Sequence, residues 1–95
     1  MIHRIQSEHG SFSLLWSGVK TFEVQPNDRP YKVKDILVSV EFDPVTKLYS
    51  GREISFAITY VLDDPQFCKK GYVVLSLSEL TRQVLGYFPQ IKFEK

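Results

Sequence analysis

The densest group of side chains that could do chemistry lies in residues 18–30, between a glycine and a proline. Lys20 and Arg29 in this segment are cations of the kind that bind phosphate groups. Glu23 and Asp28 are carboxylates, which accept hydrogen bonds from the amino edge of a nucleobase. The same residue types also form turns and surface ion pairs, each of which contributes about 0–1 kcal/mol. Spacing alone favours this second, structural interpretation.

Basic residues alternate with aromatic rings along much of the chain. Tyr31 stands between Arg29 and Lys32. Further basic residues follow at Lys34, Lys47, Arg52, Lys69 and Lys70. Such alternation is typical of proteins that bind single-stranded nucleic acid, because cations follow the phosphates and rings stack on bases, at about 1–3 kcal/mol per base. Acidic residues are dispersed among these cations, so an ordinary charged surface explains most of them.

Seven phenylalanines, five tyrosines and one tryptophan make up 14% of the chain, and a domain this small needs most of them for its core. The rings predicted to lie on buried apolar faces are Phe12, Trp16, Phe22, Phe42, Phe56 and Tyr72. The rings that lie in or beside predicted loops are Tyr31, Tyr49, Tyr60 and Phe67. These four are the candidates for a stacking surface.

Catalytic and metal-binding groups are sparse in the sequence. His3 and His9 are its two histidines, and neither has cysteines or paired carboxylates at the spacing of metal ligands. Cys68 is the single cysteine, which excludes an internal disulfide and a cysteine-rich zinc site. The sequence also has no glycine-rich phosphate loop and no Gly-x-Ser-x-Gly motif. We therefore predict no catalytic residue, no metal and no cofactor.

Length and charge limit the possible functions. The chain has 95 residues, enough for one domain, with 12 basic and 11 acidic residues and a formal net charge of +1. A charge this close to zero excludes a globally basic nucleic-acid coat protein but permits a local basic patch. The lone cysteine, the absence of a leader and the absence of an apolar run of roughly 18 residues predict a cytoplasmic protein that enters no membrane.

The elements that must position these residues are mostly strands. Alternating or β-branched runs predict strands over Thr21–Gln25, Ile36–Phe42, Glu53–Leu62 and Tyr72–Leu77. Turn residues in the segment 43–51 predict a hairpin with a long loop between the second and third strands. Alternation in the third strand places Ile54, Phe56, Ile58 and Tyr60 on one face.

Two helices complete the predicted fold. Helical spacing and a following glycine predict one over Ser11–Ser17. An apolar stripe that Pro89 ends predicts the other over Ser78–Phe88. The expected architecture is a single α+β domain over residues 1–95, built around a small, barrel-like sheet, with residues 78–95 as a C-terminal helix and tail.

A series of short blocks in a fixed order makes the sequence recognisable. The blocks are His3, Phe12, Gly18-x-Lys20-x-Phe22-Glu23, Asn27-Asp28-Arg29, Asp35-Ile36-Leu37, Glu41-Phe42-Asp43-Pro44, Tyr49-Ser50-Gly51-Arg52, Thr59-Tyr60-Val61-Leu62 and Gly71-Tyr72-Val73-Val74-Leu75-Ser76. Over residues 3–77 the series resembles the ASCH (activating signal cointegrator homology) superfamily. It is most similar to a short bacterial and phage branch that carries only a domain-of-unknown-function label.

The resemblance implies a PUA-like fold, which is a small β-barrel with flanking helices and a cleft beside the Gly-x-Lys-x-x-Glu segment. It also implies non-enzymatic binding of single-stranded RNA, a nucleotide or a modified nucleoside in that cleft. Lys20 and Arg29 would contact phosphate, and Glu23 would accept a hydrogen bond from a base. The other predicted binding residues are Gln25, Tyr31, Lys32, Arg52 and Tyr60. Arg52 would close the rim of the cleft, and the two tyrosines would line its wall.

Two residues depart from the family pattern in ways that reduce positive charge. Gln25 stands where the family usually has an arginine, and Gln6 stands where it often has a lysine. Both changes argue against strong phosphate binding.

An enzymatic alternative follows from a related ASCH-like group that hydrolyses N4-acetylcytidine with a lysine, a threonine and a glutamate. Lys20 matches the lysine, but Glu23 occupies the position of the threonine. The expected activity would be that of an amidohydrolase of N4-acylated cytidine.

A third possibility is a bacterial or phage protein-interaction module that inhibits a host factor. The partner would contact the predicted C-terminal helix through its apolar stripe. The residues of that stripe are Leu80, Val84, Leu85 and Phe88.

Overall fold

β-Strands make up most of the structure, a computed structural model that describes residues 1–84. In chain order the elements are β1 (Ile2–Ser7), α1 (His9–Trp16), β2 (Phe22–Pro26), β3 (Ile36–Asp43), β4 (Leu48–Leu62) and β5 (Tyr72–Val84). The described chain contains no helix with the length and apolar character needed to cross a membrane.

The five strands form one sheet in the order β1-β3-β4-β5-β2. β1 pairs with β3 in parallel, and the other neighbouring strands are antiparallel. Because a tight turn cannot join parallel strands, the chain between β1 and β3 makes a crossover that contains α1 and β2. The sheet curls into a half-barrel, which agrees with the small, barrel-like sheet expected from the sequence.

The inner face of the sheet, defined here as the face that packs on α1, carries the core. Phe12 and Leu15 of α1 pack with Leu37, Ile54 and Leu75 of the sheet, and each of these side chains is at most 1% exposed. The helix predicted in this part of the chain is therefore present, although it begins two residues earlier than expected. Its apolar residues cover the inner face and keep water from it.

β3 and β4 form the predicted antiparallel hairpin, but residues 44–47 join them instead of a long loop. Asp43 Oδ1 accepts a hydrogen bond from the N–H of Val45 over 2.9 Å, which closes the turn. Lys47 follows with a φ of +63°, and β4 starts at Leu48. The side-chain contact of Asp43 makes the turn compact, so β4 begins five residues before the predicted strand.

β4 follows the predicted alternation only as far as Ile58. Ile54, Phe56 and Ile58 are buried on the inner face, but the pairing with β5 shifts register between Ile58 and Tyr60. The shift adds one residue to β4 and turns Tyr60 to the outer face, where it is 57% exposed. The prediction that Tyr60 shares a face with Ile58 is therefore wrong.

Residues 78–84 continue β5 and do not form the predicted helix. They pair with residues 52–57 of β4, and a second register shift accommodates Leu80. An existing neighbour strand offers partners for backbone N–H and C=O groups, which outweighs a weak helical stripe. The helix predicted over Ser78–Phe88 is wrong over residues 78–84, where Leu80 and Val84 are exposed on a strand and do not form a helical stripe. Residues 85–95, with the rest of that helix and the tail, lie outside the described residues.

β1 is an element that the sequence pattern does not predict. His3, Ile5 and Ser7 are buried, and the residues between them are exposed. Because two of the three buried residues are polar, the strand lacks the alternation of apolar and polar residues that normally reveals a half-buried strand.

Two valines provide a matched test of the inner-face core. Val73 on β5 is 2% exposed, whereas Val45 in the β3–β4 turn is 88% exposed. Val73→Ala is expected to lower the free energy of unfolding by about 2 kcal/mol, because it removes two buried methyl groups and leaves a cavity. Val45→Ala should change it by less than about 0.5 kcal/mol. Urea denaturation measures both, and equal effects would contradict the described core.

Candidate functional site

Lys20, Glu23 and Gln25 come together at one edge of the sheet, and we call them the Lys20 cluster. Lys20 Nζ donates a hydrogen bond to Glu23 Oε1 over 2.7 Å. Gln25 Nε2 donates to Glu23 Oε2 over 2.9 Å. Each carboxylate oxygen of Glu23 therefore has a donor, and three of the predicted binding residues form one connected group.

The alternation of β2 explains why Glu23 is buried. Phe22 and Val24 point to the outer face and are 45% and 49% exposed, whereas Glu23 points to the inner face and is 5% exposed. A buried carboxylate is stable only where hydrogen bonds and a cation replace its water. Lys20 supplies the cation and keeps 20% of its own side chain exposed. The cluster thus places a partly exposed ammonium over a buried carboxylate.

A turn after α1 delivers Lys20 to this position. Gly18 adopts a φ of +79°, a left-handed conformation that glycine favours after the end of a helix. The N–H of Lys20 then donates to the carbonyl of Leu14 over 3.0 Å. This hydrogen bond holds Lys20 against α1 before β2 begins.

Arg29 and Tyr31 belong to the segment 27–35, which connects the edge strand β2 to β3 and contacts β1 on the way. Arg29 Nη1 donates to the carbonyl of Arg4 over 3.2 Å, and the Tyr31 ring lies 4.6 Å from the ring of His3. Tyr31 is 9% exposed and packs in the core. It therefore closes the domain and does not offer the exposed stacking ring that the sequence predicts.

Charged groups surround the Tyr31 hydroxyl. Burial raises the pKa of Tyr31, the guanidinium of Arg29 partly offsets that rise, and the carboxylates of Asp28 and Glu23 increase it. The charges of the Lys20 cluster and of Arg29 therefore act on the same hydroxyl in opposite directions.

A second buried network, formed by His3 and Asp35, holds the same segment. His3 Nε2 lies 2.8 Å from Asp35 Oδ2, and the amino group of Met1 donates to Oδ1 over 3.1 Å. The hydrogen bond with His3 lowers the pKa of Asp35 to about 2, against the effect of burial and with help from the Met1 amino group and the Lys32 N–H. Lys32 joins this network through its backbone, and its side chain is exposed.

Arg52 belongs to a different group, which we call the Glu41 cluster and which contains His9, Glu41 and Arg52. Arg52 Nε and Nη2 donate to Oε1 and Oε2 of Glu41 over 2.9 and 2.8 Å. His9 Nδ1 lies 2.6 Å from Glu41 Oε2. The guanidinium carbon of Arg52 is 5.2 and 5.0 Å from the ring centroids of Phe12 and Trp16. These contacts do not place Arg52 at the rim of a cleft beside Lys20.

A groove of about 740 Å³ lies beside the Glu41 cluster, along the β3–β4 hairpin. Its lining contains three carboxylates, from Glu8, Glu41 and Asp43, and Glu41 already neutralises Arg52. The groove therefore disfavours a phosphate. The Lys20 cluster instead combines a buried carboxylate with a partly exposed cation.

Tyr60 lies on the reverse side of the sheet from Glu23. It pairs with Ser76, and Ser76 pairs with Phe22, so all three point to the outer face. The structure therefore does not bring Tyr60 to the wall of the inner cluster, as the sequence predicts.

Two buried carboxylates, Asp35 and Glu41, are not among the candidate site residues predicted from the sequence. Glu41 lies two residues after the buried Ser39 in β3, so period-two alternation is the signal that could have placed it on the inner face. Within residues 1–84, no three histidine, cysteine or carboxylate side chains gather as metal ligands would.

The Glu41 cluster predicts how the protein responds to acid. Burial alone would raise the pKa of Glu41, but hydrogen bonds from Arg52, Ser50 and His9 outweigh it and lower the pKa to about 2. Glu41 therefore binds a proton more readily in the unfolded chain than in the folded one. Its contribution to the free energy of unfolding is full above about pH 4.5 and is lost as the pH falls towards 2. Urea denaturation at several pH values should show wild-type stability falling over this range, and less steeply in Glu41→Gln.

Glu8→Gln is the matched control for this test. It removes the same charge from an exposed side chain next to His9, so the acid profile should remain that of the wild type. Equal slopes in the wild type and Glu41→Gln would contradict the role assigned to Glu41.

Comparison with known sequences identifies the family. The sequence model of the family described as a domain of unknown function (DUF3850) matches residues 2–77. No curated protein matches the chain. The match runs from β1 into β5 and includes the whole Lys20 cluster. Since it covers most of the sequence, the chain belongs to the DUF3850 family.

Proposed function

We propose that this domain binds single-stranded RNA, a nucleotide or a modified nucleoside at the Lys20 cluster and catalyses no reaction. The supporting observation is the buried carboxylate of Glu23, which Lys20 and Gln25 hold beneath a partly exposed ammonium. A carboxylate accepts hydrogen bonds from the amino groups of bases, and an ammonium binds phosphate. The cluster therefore complements both ends of a nucleotide.

The hydrogen-bonding capacity of the cluster leaves room for such a ligand. Lys20 has three N–H donors and directs one at Glu23. Each carboxylate oxygen has two lone pairs, and one donor approaches each oxygen of Glu23. Lys20 therefore has donors left for a phosphate oxygen, and Glu23 has lone pairs left for a base amino group.

Arg29 adds a second cation in this proposal. One of its five N–H donors contacts the carbonyl of Arg4, which leaves others for phosphate. Because Gln25 is neutral, we expect moderate affinity that depends strongly on salt.

We further propose that the domain has the PUA-like fold of the ASCH superfamily. The curled sheet, the parallel pairing of β1 with β3 and the short helix after β1 support this assignment. The ordered sequence blocks lie within the region that matches the family.

Hydrolysis of N4-acylated cytidine has less support. That reaction requires a nucleophile within hydrogen-bond reach of its base. In the part of the chain that the structure describes, the Lys20 ammonium bonds to a carboxylate and to no hydroxyl group.

Titration of labelled six-nucleotide RNA and of cytidine monophosphate tests the proposal. Lys20→Gln should weaken binding of both by about tenfold or more, because a charge-assisted hydrogen bond to phosphate is lost. For RNA, the slope of log affinity against log salt should also become shallower by about 0.7, the value for one phosphate contact on a single strand.

Lys47→Gln is the matched control. It removes the same charge from an exposed residue of the β3–β4 turn, which is not part of the Lys20 cluster. It should bind as the wild type does. The proposal fails if the wild type shows no salt-dependent binding of RNA, DNA or nucleotides, or if both variants weaken binding equally.

A further inference from the structure

Three aromatic rings are exposed on the outer face of β2, β5 and β4. Phe22 is 45% exposed, Tyr60 is 57% exposed and Tyr72 is 38% exposed. The sequence predicts that Phe22 and Tyr72 are buried in the core, and the structure shows this to be wrong. We call these three residues the ring face.

Strand register fixes the arrangement of the ring face. Phe22 and Tyr60 flank Ser76 in one row across the three strands. Since neighbouring strands lie about 4.8 Å apart, the two rings are separated by about 10 Å, with a small side chain between them. Tyr72 pairs with Pro26 further along β5. The rings therefore lie in two rows of a continuous surface.

Apolar side chains fill the row between the rings. Val24 pairs with Val74, and Val74 pairs with Leu62. Val24 is 49% exposed, and the other two are partly buried. The ring face therefore has an apolar floor that joins its two rows.

Lysines stand over two of the rings. Lys20 Nζ is 5.5 Å from the centroid of the Phe22 ring, and Lys69 Nζ is 5.5 Å from the centroid of the Tyr72 ring. Lys70 follows directly and is exposed. Positive charge therefore borders the ring face at both rows.

The other half of the outer face is built differently. There Val38 and Val40 are 7% and 4% exposed, and Arg4 pairs with Glu53 over 2.7 Å. Val38 and Val40 are thus covered, whereas the three rings and Val24 are exposed. Exposed apolar side chains that lie side by side are typical of a binding surface.

We propose that the ring face is a stacking surface for single-stranded nucleic acid, with bases on the three rings and phosphates on Lys20 and Lys69. Rings with bordering cations suit a strand of unpaired bases, because every base has a π-face and every linkage carries a negative charge. This inference shares Lys20 with the proposed nucleotide site but places the bases on the outer face, whereas the Lys20 cluster uses the inner face.

The edge of β2 argues against a second copy of the chain as the occupant. Within residues 1–84, β2 pairs on one side with β5, and its other edge ends at Pro26, which has no N–H to donate. The inward carboxylate of Glu23 further disfavours extension of the sheet by another strand.

Fluorescence anisotropy with labelled ten-nucleotide uridine RNA and its deoxythymidine counterpart tests the inference. The double variant Tyr60→Ala with Tyr72→Ala should weaken binding by about 25-fold or more, since each stacked base contributes at least about fivefold. The matched double variant Tyr60→Phe with Tyr72→Phe keeps both rings and should bind nearly as the wild type does. A preference for the RNA over the DNA would indicate contacts to the 2′-hydroxyl groups.

Two further measurements separate this inference from the proposed function. Cytidine monophosphate should bind equally to the wild type and the double alanine variant, because the Lys20 cluster is unchanged. Loss of ten-nucleotide binding in that variant, with the monophosphate unaffected by Lys20→Gln, would refute the inner site and leave the ring face intact.

Ultraviolet cross-linking of the wild type to the ten-nucleotide RNA gives a test that does not depend on the folding of a variant. Cross-linked peptides should contain Phe22, Tyr60 or Tyr72. The inference is overturned if cross-links map elsewhere, if the double alanine variant folds and binds as the wild type does, or if light scattering shows a dimer that this variant abolishes.

Discussion

The register shift in β4 between Ile58 and Tyr60 is the constraint on which both faces of this domain depend. Side chains of a strand alternate between faces, so one extra residue exchanges the faces of every residue that follows. Because of the shift, Val61 packs against the core and Tyr60 is exposed on the outer face. Without it, Tyr60 would enter an inner face that is already filled by Ile58 and its neighbours. The packing of the core and the exposure of the ring face therefore both depend on the one extra residue that the shift adds to β4.

The edge strand β2 shows the same alternation of side chains between the two faces, but the consequence differs. Its inner side carries Glu23 and its outer side carries Phe22 and Val24, which reverses the usual placement of charged and apolar residues. Such a strand is costly unless the buried carboxylate has partners, and Lys20 and Gln25 provide them. An inward charge also protects a sheet edge from pairing with other chains. The residues assigned to ligand binding thus also stabilise the edge on which they stand.

The sequence predicts those elements whose apolar residues show a clear period. β2 and β3 lie within one residue of their predicted positions, and the inner residues of β4 are predicted correctly as far as Ile58. The errors arise where tertiary pairing decides the outcome. Polar residues conceal β1, the β4 neighbour turns residues 78–84 into a strand, and the register shift moves Tyr60. None of these effects is visible in local periodicity.

The contacts of the candidate site residues are likewise predictable from the sequence only where the residues are close in the chain. Lys20, Glu23 and Gln25 are close in sequence, and one strand with the turn before it is enough to bring them together. Arg52 required a long-range contact, and Glu41 captures it with two hydrogen bonds instead. Tyr31 lies in the loop between β2 and β3, yet it is buried against His3 of β1. Short-range spacing could therefore be read from the sequence, whereas membership of a distant cluster could not.

Lys20 occupies a position from which both proposed surfaces can be reached. Its ammonium is 2.7 Å from the inner carboxylate of Glu23 and 5.5 Å from the centre of the outward ring of Phe22. Adjacent residues of a strand point to opposite faces, so a side chain that contacts both must reach around the edge of the sheet. The edge of β2 is the short route between the two faces. A strand of nucleic acid with one base at Glu23 and others on the ring face would cross that edge, and its phosphate would meet the same ammonium there.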